Sequence, residues 1–337
     1  MDTVHVLCLG RFSDSQLERL RAISPRLNVE QIPTQDFASI GEPLARAEVL
    51  YTFGLPPLLE QVPGLRWVQL SSAGAEHLAG HPVMAARHIH ITTTSGIHAG
   101  PMAEYVAAVM LAWARRLPTT LELQRRREWP KGRWNVLRSL ELRDAVLGIV
   151  GYGSIGREIA RLASAFGMRI LALKRHPEER RDRGYIEPGL GDPEGRLPER
   201  WYGPEELHAM LGECDYVVIT LPLTPATRGL INADALRAMK PSALLINVAR
   251  GDIIVEQDLL QALREKWIAG AALDVFSREP LPADHPLWEL DNVILTPHIS
   301  AITDRYEERA SRLFAENLRR YLAGEPLLNE IDREEGY

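Results

Sequence analysis

The 337-residue sequence has little cysteine, and its apolar runs are short. Cys8 and Cys214 each lie within or beside an apolar stretch, which favours buried thiols in a reducing compartment over a disulfide. Tyr105 to Ala114 is among the longest apolar runs, and it is far shorter than the roughly 20 residues of a membrane-spanning helix. The opening MDTVHVLCLG has no basic segment of the kind that begins a signal peptide. We therefore expect a cytoplasmic protein with no membrane partner.

The sequence also lacks an excess of positive charge. Its formal net charge is -6 with both signs interspersed, which argues against a general nucleic-acid binder and favours small-molecule partners. No group of histidines and carboxylates has the spacing of metal ligands, so no metal is expected. The length exceeds the usual size of one domain, which predicts two domains with sizeable cores.

The most informative stretch that is present is Val146 to Gly156, which reads VLGIVGYGSIG. An apolar run typical of a buried strand leads into Gly151, Gly153 and Gly156 at the Gly-x-Gly-x-x-Gly spacing. The first glycine permits a tight turn, the second lets the backbone approach a pyrophosphate, and the third lets the next helix pack against the sheet. Glycines that only make a turn are the alternative, but an apolar helical face and a second strand at Met168 to Leu173 follow. We therefore predict a dinucleotide site.

Short apolar strands alternate with helices on both sides of this turn, which predicts parallel sheets. Strands are expected at 4–9, 47–51, 66–70 and 89–93, with helices at 13–22 and 101–117. From Val146 onward six strands are predicted, the number in a doubly wound dinucleotide-binding sheet. The segment His176 to Pro204 is rich in proline, glycine and charge. It is expected near the outer half of the cofactor, with a disordered surface insertion as the alternative.

Three polar residues follow predicted strand ends on the side where open α/β sheets bind ligands. Arg250, Glu279 and His298 would converge on one cleft if their strands are adjacent. An arginine offers a planar fork for a carboxylate, a histidine can exchange a proton with a hydroxyl or carbonyl oxygen, and a neighbouring carboxylate would orient that histidine. Taken singly, each residue has an equally good structural interpretation. Arg250 could form a surface ion pair, Glu279 could be a loop charge, and His298 could be a buried structural histidine. Ser71 to Ala75 could likewise hold a carboxylate through backbone N–H groups, or form an ordinary flexible turn.

These residues lie in blocks that resemble a known family. NVARG at Asn247–Gly251, DVFSREPLP at Asp274–Pro282 and LWELDNVILTPHIS at Leu287–Ser300 are similar to signature blocks of the D-isomer-specific 2-hydroxyacid dehydrogenases, and the chain looks like their glyoxylate/hydroxypyruvate reductases. PLTPATRGLIN at Pro222–Asn232 and NLRRYLAGEPLLN at Asn317–Asn329 extend the resemblance over nearly the whole chain. It implies an NAD(P)-dependent oxidoreductase that transfers a hydride between nicotinamide and a small 2-keto acid or D-2-hydroxy acid.

The resemblance implies a role for each matching residue. His298 would be the acid/base, Glu279 its partner, and Arg250 the clamp on the substrate carboxylate and keto oxygen. Cofactor contacts are implied for the glycine turn and for later strand ends, at Gly151, Tyr152, Gly153, Ser154, Ile155, Gly156, Lys174, Arg175, Leu221, Pro222, Thr227, Val248, Ala249, Asp274 and His298.

The resemblance also implies an architecture, a Rossmann dinucleotide-binding domain inserted into a smaller flavodoxin-like α/β substrate domain. The substrate domain would comprise residues 1–98 and a returning segment at 299–337, with the dinucleotide-binding domain at 99–298. Ala73 and Gly74 would offer N–H groups to the substrate carboxylate. Met102 would bound a small pocket, with core packing as the alternative. A homodimer joined largely through the cofactor domain is expected.

One departure from the family pattern bears on the cofactor. NAD-preferring relatives usually carry an acidic residue at the end of the second strand, where this chain has Leu173, Lys174, Arg175 and His176. An acidic residue there repels a 2'-phosphate, whereas Lys174 and Arg175 would attract it. We therefore predict that NADP(H) is preferred over NAD(H), with basic residues that merely tolerate NAD as the alternative.

A different class of function stays open at this point. Some proteins of this family act as nucleotide-sensing corepressors and use the same fold as a binding module. Such a module would not need the complete set of Arg250, Glu279 and His298, and this set favours the enzyme.

Overall fold

The protein is described by a computed structural model over residues 3–333. Its strands are β1 (Val4–Cys8), β2 (Leu27–Gln31), β3 (Val49–Thr52), β4 (Trp67–Leu70), β5 (His90–Thr92), β6 (Val146–Val150), β7 (Arg169–Leu173), β8 (Arg200–Tyr202), β9 (Tyr216–Ile219), β10 (Leu244–Asn247), β11 (Gly270–Leu273) and β12 (Val293–Leu295). Its α-helices are α1 (Asp14–Arg21), α2 (Glu42–Ala45), α3 (Ala99–Ala114), α4 (Leu117–Arg126), α5 (Arg133–Val136), α6 (Ser154–Ala165), α7 (Leu207–Glu213), α8 (Ala233–Ala238), α9 (Glu256–Arg264) and α10 (Tyr306–Ala323).

The described residues form two compact units. The first unit runs to His98, includes Gly184–Glu187 and resumes at Thr303. It holds the parallel sheet β2-β1-β3-β4-β5, which has the flavodoxin-like strand order. The second unit holds the remaining residues and the parallel sheet β12-β11-β10-β9-β6-β7-β8, a Rossmann order extended by one strand. The predicted fold class is confirmed, while the assignment of roles to 1–98, 99–298 and 299–337 stays a prediction.

The predicted strand counts are too low in both sheets. β2 was not predicted, because LNVEQ carries three polar residues among its five and lacks a strong apolar signal. The prediction of six strands from Val146 onward is wrong, since the described sheet has seven. The seventh is β8, a three-residue strand inside the segment 176–204, where proline, glycine and charge conceal it.

The predicted helix at 101–117 also differs from the structure. α3 ends at Ala114, and α4 begins at Leu117 as a separate helix. Arg116, between them, has φ 57°, a left-handed conformation that no α-helix continues through. In the part of the chain that the structure describes, no helix is long and apolar enough to cross a membrane.

A buried arginine fixes part of the segment 176–204. Arg157 on α6 is 1% exposed, and it donates to the carbonyl oxygens of Asp192 and Arg180, at 2.6 Å each. Its Nε lies 3.2 Å from Oδ2 of Asp182. A buried guanidinium is costly to desolvate unless it is paired and hydrogen-bonded, so these contacts hold the segment to α6. The segment therefore forms part of the fold.

Candidate active site

The glycine-rich turn joins β6 to α6. Gly151 has φ 105°, and a Cβ there would lie 3.0 Å from backbone atoms of Thr220 and Leu221. A Cβ on Gly156 would lie 2.5 Å from the carbonyl oxygen of Gly151, so this glycine lets the helix start close to the strand. A Cβ on Gly153 would meet nothing within 4 Å, so space is open beside the first turn of α6. This open approach to a helix N-terminus fits the diphosphate of a dinucleotide.

His298 and Glu279 form a hydrogen-bonded pair. Nδ1 of His298 lies 2.7 Å from Oε2 of Glu279, and because an ionised carboxylate only accepts, the imidazole donates. The other carboxylate oxygen accepts from the Phe276 N–H at 3.0 Å, which orients Glu279 in turn. The His298 and Glu279 side chains are 47% and 36% exposed, so the pair is accessible to a small molecule. The second ring nitrogen, Nε2, is left to exchange a proton with a substrate.

Arg250 lies in the turn that follows β10. Nδ2 of Asn247 donates to the Arg250 carbonyl oxygen at 2.9 Å, and Nη1 of Arg250 donates to the Ala249 carbonyl oxygen at 2.8 Å. A Cβ on Gly251 would lie 2.0 Å from the Phe276 carbonyl carbon. Glycine therefore lets the Arg250 turn pack against the loop that also orients Glu279. A guanidinium in this place can bind a carboxylate through two parallel hydrogen bonds.

The Asp274 carboxylate lies beneath the turn that carries His298, and it is fully buried. Its Oδ1 accepts from the Thr296 hydroxyl at 2.6 Å and from the Ile299 N–H at 2.9 Å, and its Oδ2 accepts from the Ser300 N–H at 2.8 Å. His298 itself has φ 55°, a left-handed conformation that costs a non-glycine residue on the order of 1 kcal/mol or more. Hydrogen bonds to Asp274 from residues on both sides of His298 thus stabilise this left-handed conformation.

The comparisons with known proteins agree with this geometry. A family model described as "D-isomer specific 2-hydroxyacid dehydrogenase, NAD binding domain" matches residues 107–300. A glyoxylate reductase from Thermofilum pendens is 38% identical over 270 residues, which are 80% of this chain and 75% of the relative. The chain belongs to the D-isomer-specific 2-hydroxyacid dehydrogenase family. This dehydrogenase is also 34% identical over 268 residues to the human glyoxylate reductase/hydroxypyruvate reductase, covering 79% of the chain and 77% of the relative.

A solved structure shows the same fold. The D-isomer specific 2-hydroxyacid dehydrogenase from Xanthobacter autotrophicus Py2, in complex with NADPH and MES, has a TM-score of 0.79 at 29% identity, with 99% of this chain and 100% of that chain covered. The predicted family, the predicted oxidoreductase class and an NAD(P)-binding domain are confirmed.

In this dehydrogenase the remaining predicted cofactor residues lie at strand ends of the second unit. These residues are Lys174 and Arg175 after β7, Leu221 and Pro222 after β9, Val248 and Ala249 after β10, and Asp274 after β11. Thr227 closes the turn after β9, since its hydroxyl donates to the Pro222 carbonyl oxygen at 2.7 Å and accepts from the Thr224 N–H at 2.8 Å. Tyr152 is 2% exposed and its hydroxyl donates to Asp192, which leaves its backbone for a cofactor contact.

Lys174 and Arg175 differ in their surroundings. The Lys174 ammonium donates to the Glu179 carbonyl oxygen, so it holds the beginning of the segment 176–204. Burial, together with the nearby charge of Arg157, lowers the pKa of Lys174. Arg175 is exposed at the end of the strand. Arg175 is therefore accessible to a phosphate that arrives from solvent.

In the first unit, the turn after β4 is ordered by side chains. The Ser72 hydroxyl donates to the Gly74 carbonyl oxygen at 2.8 Å, and the Thr94 hydroxyl donates to the Ser71 carbonyl oxygen at 2.6 Å. Within residues 3–333, no backbone carbonyl accepts from the N–H of Ala73 or Gly74. Both N–H groups can therefore serve a ligand, and their role in binding the substrate carboxylate stays a prediction.

Met102 is buried on α3, 7% exposed, among apolar side chains of the second unit. This placement agrees with core packing, the alternative that the sequence leaves open, and its contact with substrate stays a prediction.

Thr296 and Tyr105 join the site without being predicted. The sequence assigns Tyr105 only to the apolar surface of a helix, yet its hydroxyl lies 2.6 Å from Oγ1 of Thr296.

Proposed function

We propose that this dehydrogenase reduces short 2-keto acids such as glyoxylate and hydroxypyruvate to D-2-hydroxy acids, with His298, Glu279 and Arg250 as its catalytic residues. The observation that carries the proposal is the 2.7 Å pair of His298 and Glu279, in the same unit as the glycine turn. The names of the curated relatives, glyoxylate reductase and glyoxylate reductase/hydroxypyruvate reductase, support the choice of substrate.

The proposed mechanism divides the work among three side chains. Nicotinamide, when bound, supplies the hydride. Arg250 holds the substrate carboxylate and polarises the keto oxygen, which makes the keto carbon a better hydride acceptor. His298 donates the proton at Nε2 to that oxygen as negative charge develops on it, and Glu279 keeps the ring oriented and stabilises the imidazolium. In the oxidation direction, neutral imidazole accepts the hydroxyl proton, so lower pH favours reduction.

We propose a preference for NADP(H) over NAD(H), with Arg175 as the main contact of the 2'-phosphate. Its exposure at the end of β7 supports this role, as does the NADPH bound in the Xanthobacter relative. Lys174 contributes positive charge while it holds the segment at Glu179. The Arg175→Asp variant should lose most of its NADPH activity and gain relative activity with NADH, since an acidic residue repels the phosphate. An unchanged ratio of kcat/KM for the two cofactors would contradict the assignment.

The deciding experiment follows NADPH and NADH oxidation with glyoxylate, hydroxypyruvate, pyruvate and phenylpyruvate. We expect turnover of the short keto acids, preferentially with NADPH, and its loss in His298→Gln, with nucleotide affinity retained. Tight nucleotide binding without turnover on any keto acid would overturn the proposal and favour the nucleotide-sensing corepressor.

We further propose a homodimer joined through the second unit, and a cytoplasmic location. Several apolar side chains in residues 117–140 are exposed, namely Leu117, Leu121, Trp129, Trp134, Val136 and Leu140. Large exposed apolar surfaces are rare on monomers, and a second copy of the chain would cover these side chains.

The state of the two cysteines supports the proposed location. Burial raises the pKa of both Cys8 and Cys214 to about 12, which suits inert thiols in a reducing compartment.

A further inference from the structure

Tyr105 begins a chain of hydrogen bonds that ends at the turn of His298. The Thr296 hydroxyl donates its single proton to Oδ1 of Asp274, at 2.6 Å. The Tyr105 hydroxyl lies 2.6 Å from Oγ1 of Thr296, so Tyr105 must be the donor in that contact. Burial raises the pKa of Tyr105 to about 12, and the phenol therefore remains a donor throughout the neutral range.

The far end of this chain surrounds His298. Besides the Thr296 hydroxyl, the Asp274 carboxylate accepts the N–H groups of Ile299 and Ser300. Asp274 thereby links Thr296, two positions before His298, to Ile299 and Ser300, which follow His298. Hydrogen bonds linked in series polarise one another, so a donor at the start strengthens the bond to the carboxylate. Because the Asp274 carboxylate is fully buried, the stability of its charge depends on every hydrogen-bond donor around it.

We propose that Tyr105 is a positioning residue for the reaction: through Thr296 and Asp274 it fixes the turn from which His298 reaches the substrate. The inference rests on the proposed function, in which His298 transfers the proton. Tyr105 touches neither His298 nor Glu279 in this scheme, and it acts by limiting where Nε2 lies. Small displacements of a reacting group lower rates strongly, up to about 100-fold for 1 Å.

The chain offers a matched control in Tyr216. It is a tyrosine of the same unit, 3% exposed on β9, and it shares an apolar cluster with the side chains that Tyr105 packs against. Its hydroxyl has no hydrogen-bond partner among the described residues. Tyr216→Phe therefore removes a buried hydroxyl without touching the chain of hydrogen bonds, and Tyr105→Phe makes the same chemical change at its start.

The experiment compares kcat, KM for hydroxypyruvate and for NADPH, and melting temperature in five variants. We expect Tyr105→Phe to lower kcat about threefold to tenfold with both KM values unchanged, the effect of one lost hydrogen bond. Thr296→Val should lower kcat further, by roughly 10-fold to 100-fold, because it also removes the donor to Asp274. Thr296→Ser should retain nearly full activity, and Tyr216→Phe should match the unaltered protein. The double variant Tyr105→Phe/Thr296→Val should be no worse than Thr296→Val.

Three outcomes would each overturn the inference. They are an unchanged kcat in Tyr105→Phe, equal losses of kcat in Tyr105→Phe and Tyr216→Phe, and additive losses of kcat in the double variant.

A second measurement does not depend on turnover. NMR of protein labelled at histidine ¹³Cε1, with His298→Gln to assign the signal, should show a shifted or broadened His298 resonance in Tyr105→Phe and an unchanged one in Tyr216→Phe. If the unaltered protein reduces no keto acid, the proposed function fails, and the NMR comparison still decides whether Tyr105 positions His298.

Discussion

At the residue scale, the geometry of one imidazole depends on the carboxylate beside it. Glu279 receives the Nδ1–H of His298 through one oxygen and the Phe276 N–H through the other, so both ends of its carboxylate are used. This arrangement sets the tautomer of the neutral imidazole and keeps Nε2 as the atom that meets substrate. The charge of Glu279 matters as much as its shape, since it also stabilises the imidazolium.

Glu279→Gln keeps the shape of the side chain and removes the charge. We expect kcat to fall by about 100-fold or more, within the range that general acid–base catalysis contributes, while the melting temperature changes little. Steady-state reduction of hydroxypyruvate measures the effect. Glu289→Gln serves as the control, because Glu289 is an exposed carboxylate elsewhere in the same unit. A kcat within twofold of the unaltered value in Glu279→Gln would remove Glu279 from the mechanism.

The sequence predicted part of this site and not the rest. Glu279 and His298 follow strand ends, and parallel strands bring their carboxyl ends to one edge, so this pair could be predicted, while the convergence of Arg250 on it stays a prediction. The place of Tyr105 in the site could not be predicted, because 191 residues of chain separate it from Thr296, which its hydroxyl contacts. Its side chain also looks like any other member of an apolar helix. Only the packing of α3 in the folded unit brings the two hydroxyls together.

At the element scale, a buried arginine of α6 contacts the segment 176–204 at three residues. Arg157 is buried on α6, and its side chain reaches Asp182, Arg180 and Asp192, all within that segment. The carboxylate of Asp192 in turn receives the Tyr152 hydroxyl. The segment that is predicted to lie near the outer half of the cofactor is thus built onto the first turns of α6, the helix that follows the glycine-rich turn.

Arg157→Met keeps the volume of the side chain and removes its charge and donors. We expect a loss of about 3 kcal/mol or more in the free energy of unfolding, because two carbonyl oxygens lose their donor and the Asp182 carboxylate loses its ion pair with Arg157. Urea unfolding followed by fluorescence gives the value. Arg169→Met is the control, since Arg169 pairs with Glu199 on the surface and its loss should change stability little. Equal effects in the two variants would contradict this account of Arg157.

An ion pair between Arg19 and Glu308 joins α1 to α10 in the first unit, and we expect its contribution to stability to depend on pH. Arg19 donates to both carboxylate oxygens of Glu308, and these hydrogen bonds lower the pKa of Glu308 to about 2. A carboxyl whose pKa is lowered by folding stabilises the protein above its unfolded pKa, near 4.5, and loses that contribution as pH falls through the folded value.

The difference in melting temperature between the unaltered protein and Glu308→Gln should therefore be full at pH 7 and shrink between pH 4.5 and about 2. Calorimetry across this range tests the sign. In an Arg19→Met background the same substitution should show little pH dependence, because the main cause of the pKa shift is gone. A difference that grows as the pH falls would contradict the assignment.

At the scale of the whole molecule, the proposed homodimer would cover the exposed apolar side chains in residues 117–140. Trp134 is 77% exposed and Leu121 is 52% exposed, values that are unfavourable for such side chains in water. We expect dimers from the unaltered protein in size-exclusion chromatography with light scattering, and monomers from Trp134→Glu/Leu121→Glu. Phe53→Ser, which removes an exposed aromatic side chain of the first unit, should leave the dimer intact. A monomeric unaltered protein would exclude the homodimer.

The sequence by itself determined the features that depend on neighbouring residues. The glycine spacing, the alternation of apolar strands with helices and the family blocks all act over short stretches, and they predicted the parallel α/β folds and the dehydrogenase class. Tertiary structure alone decided which residues complete the buried polar groups. Asp274 and Arg157 each gather partners from distant parts of the chain, because a buried charge must be satisfied by whatever the fold brings near it. Those partners leave no periodic pattern in the sequence.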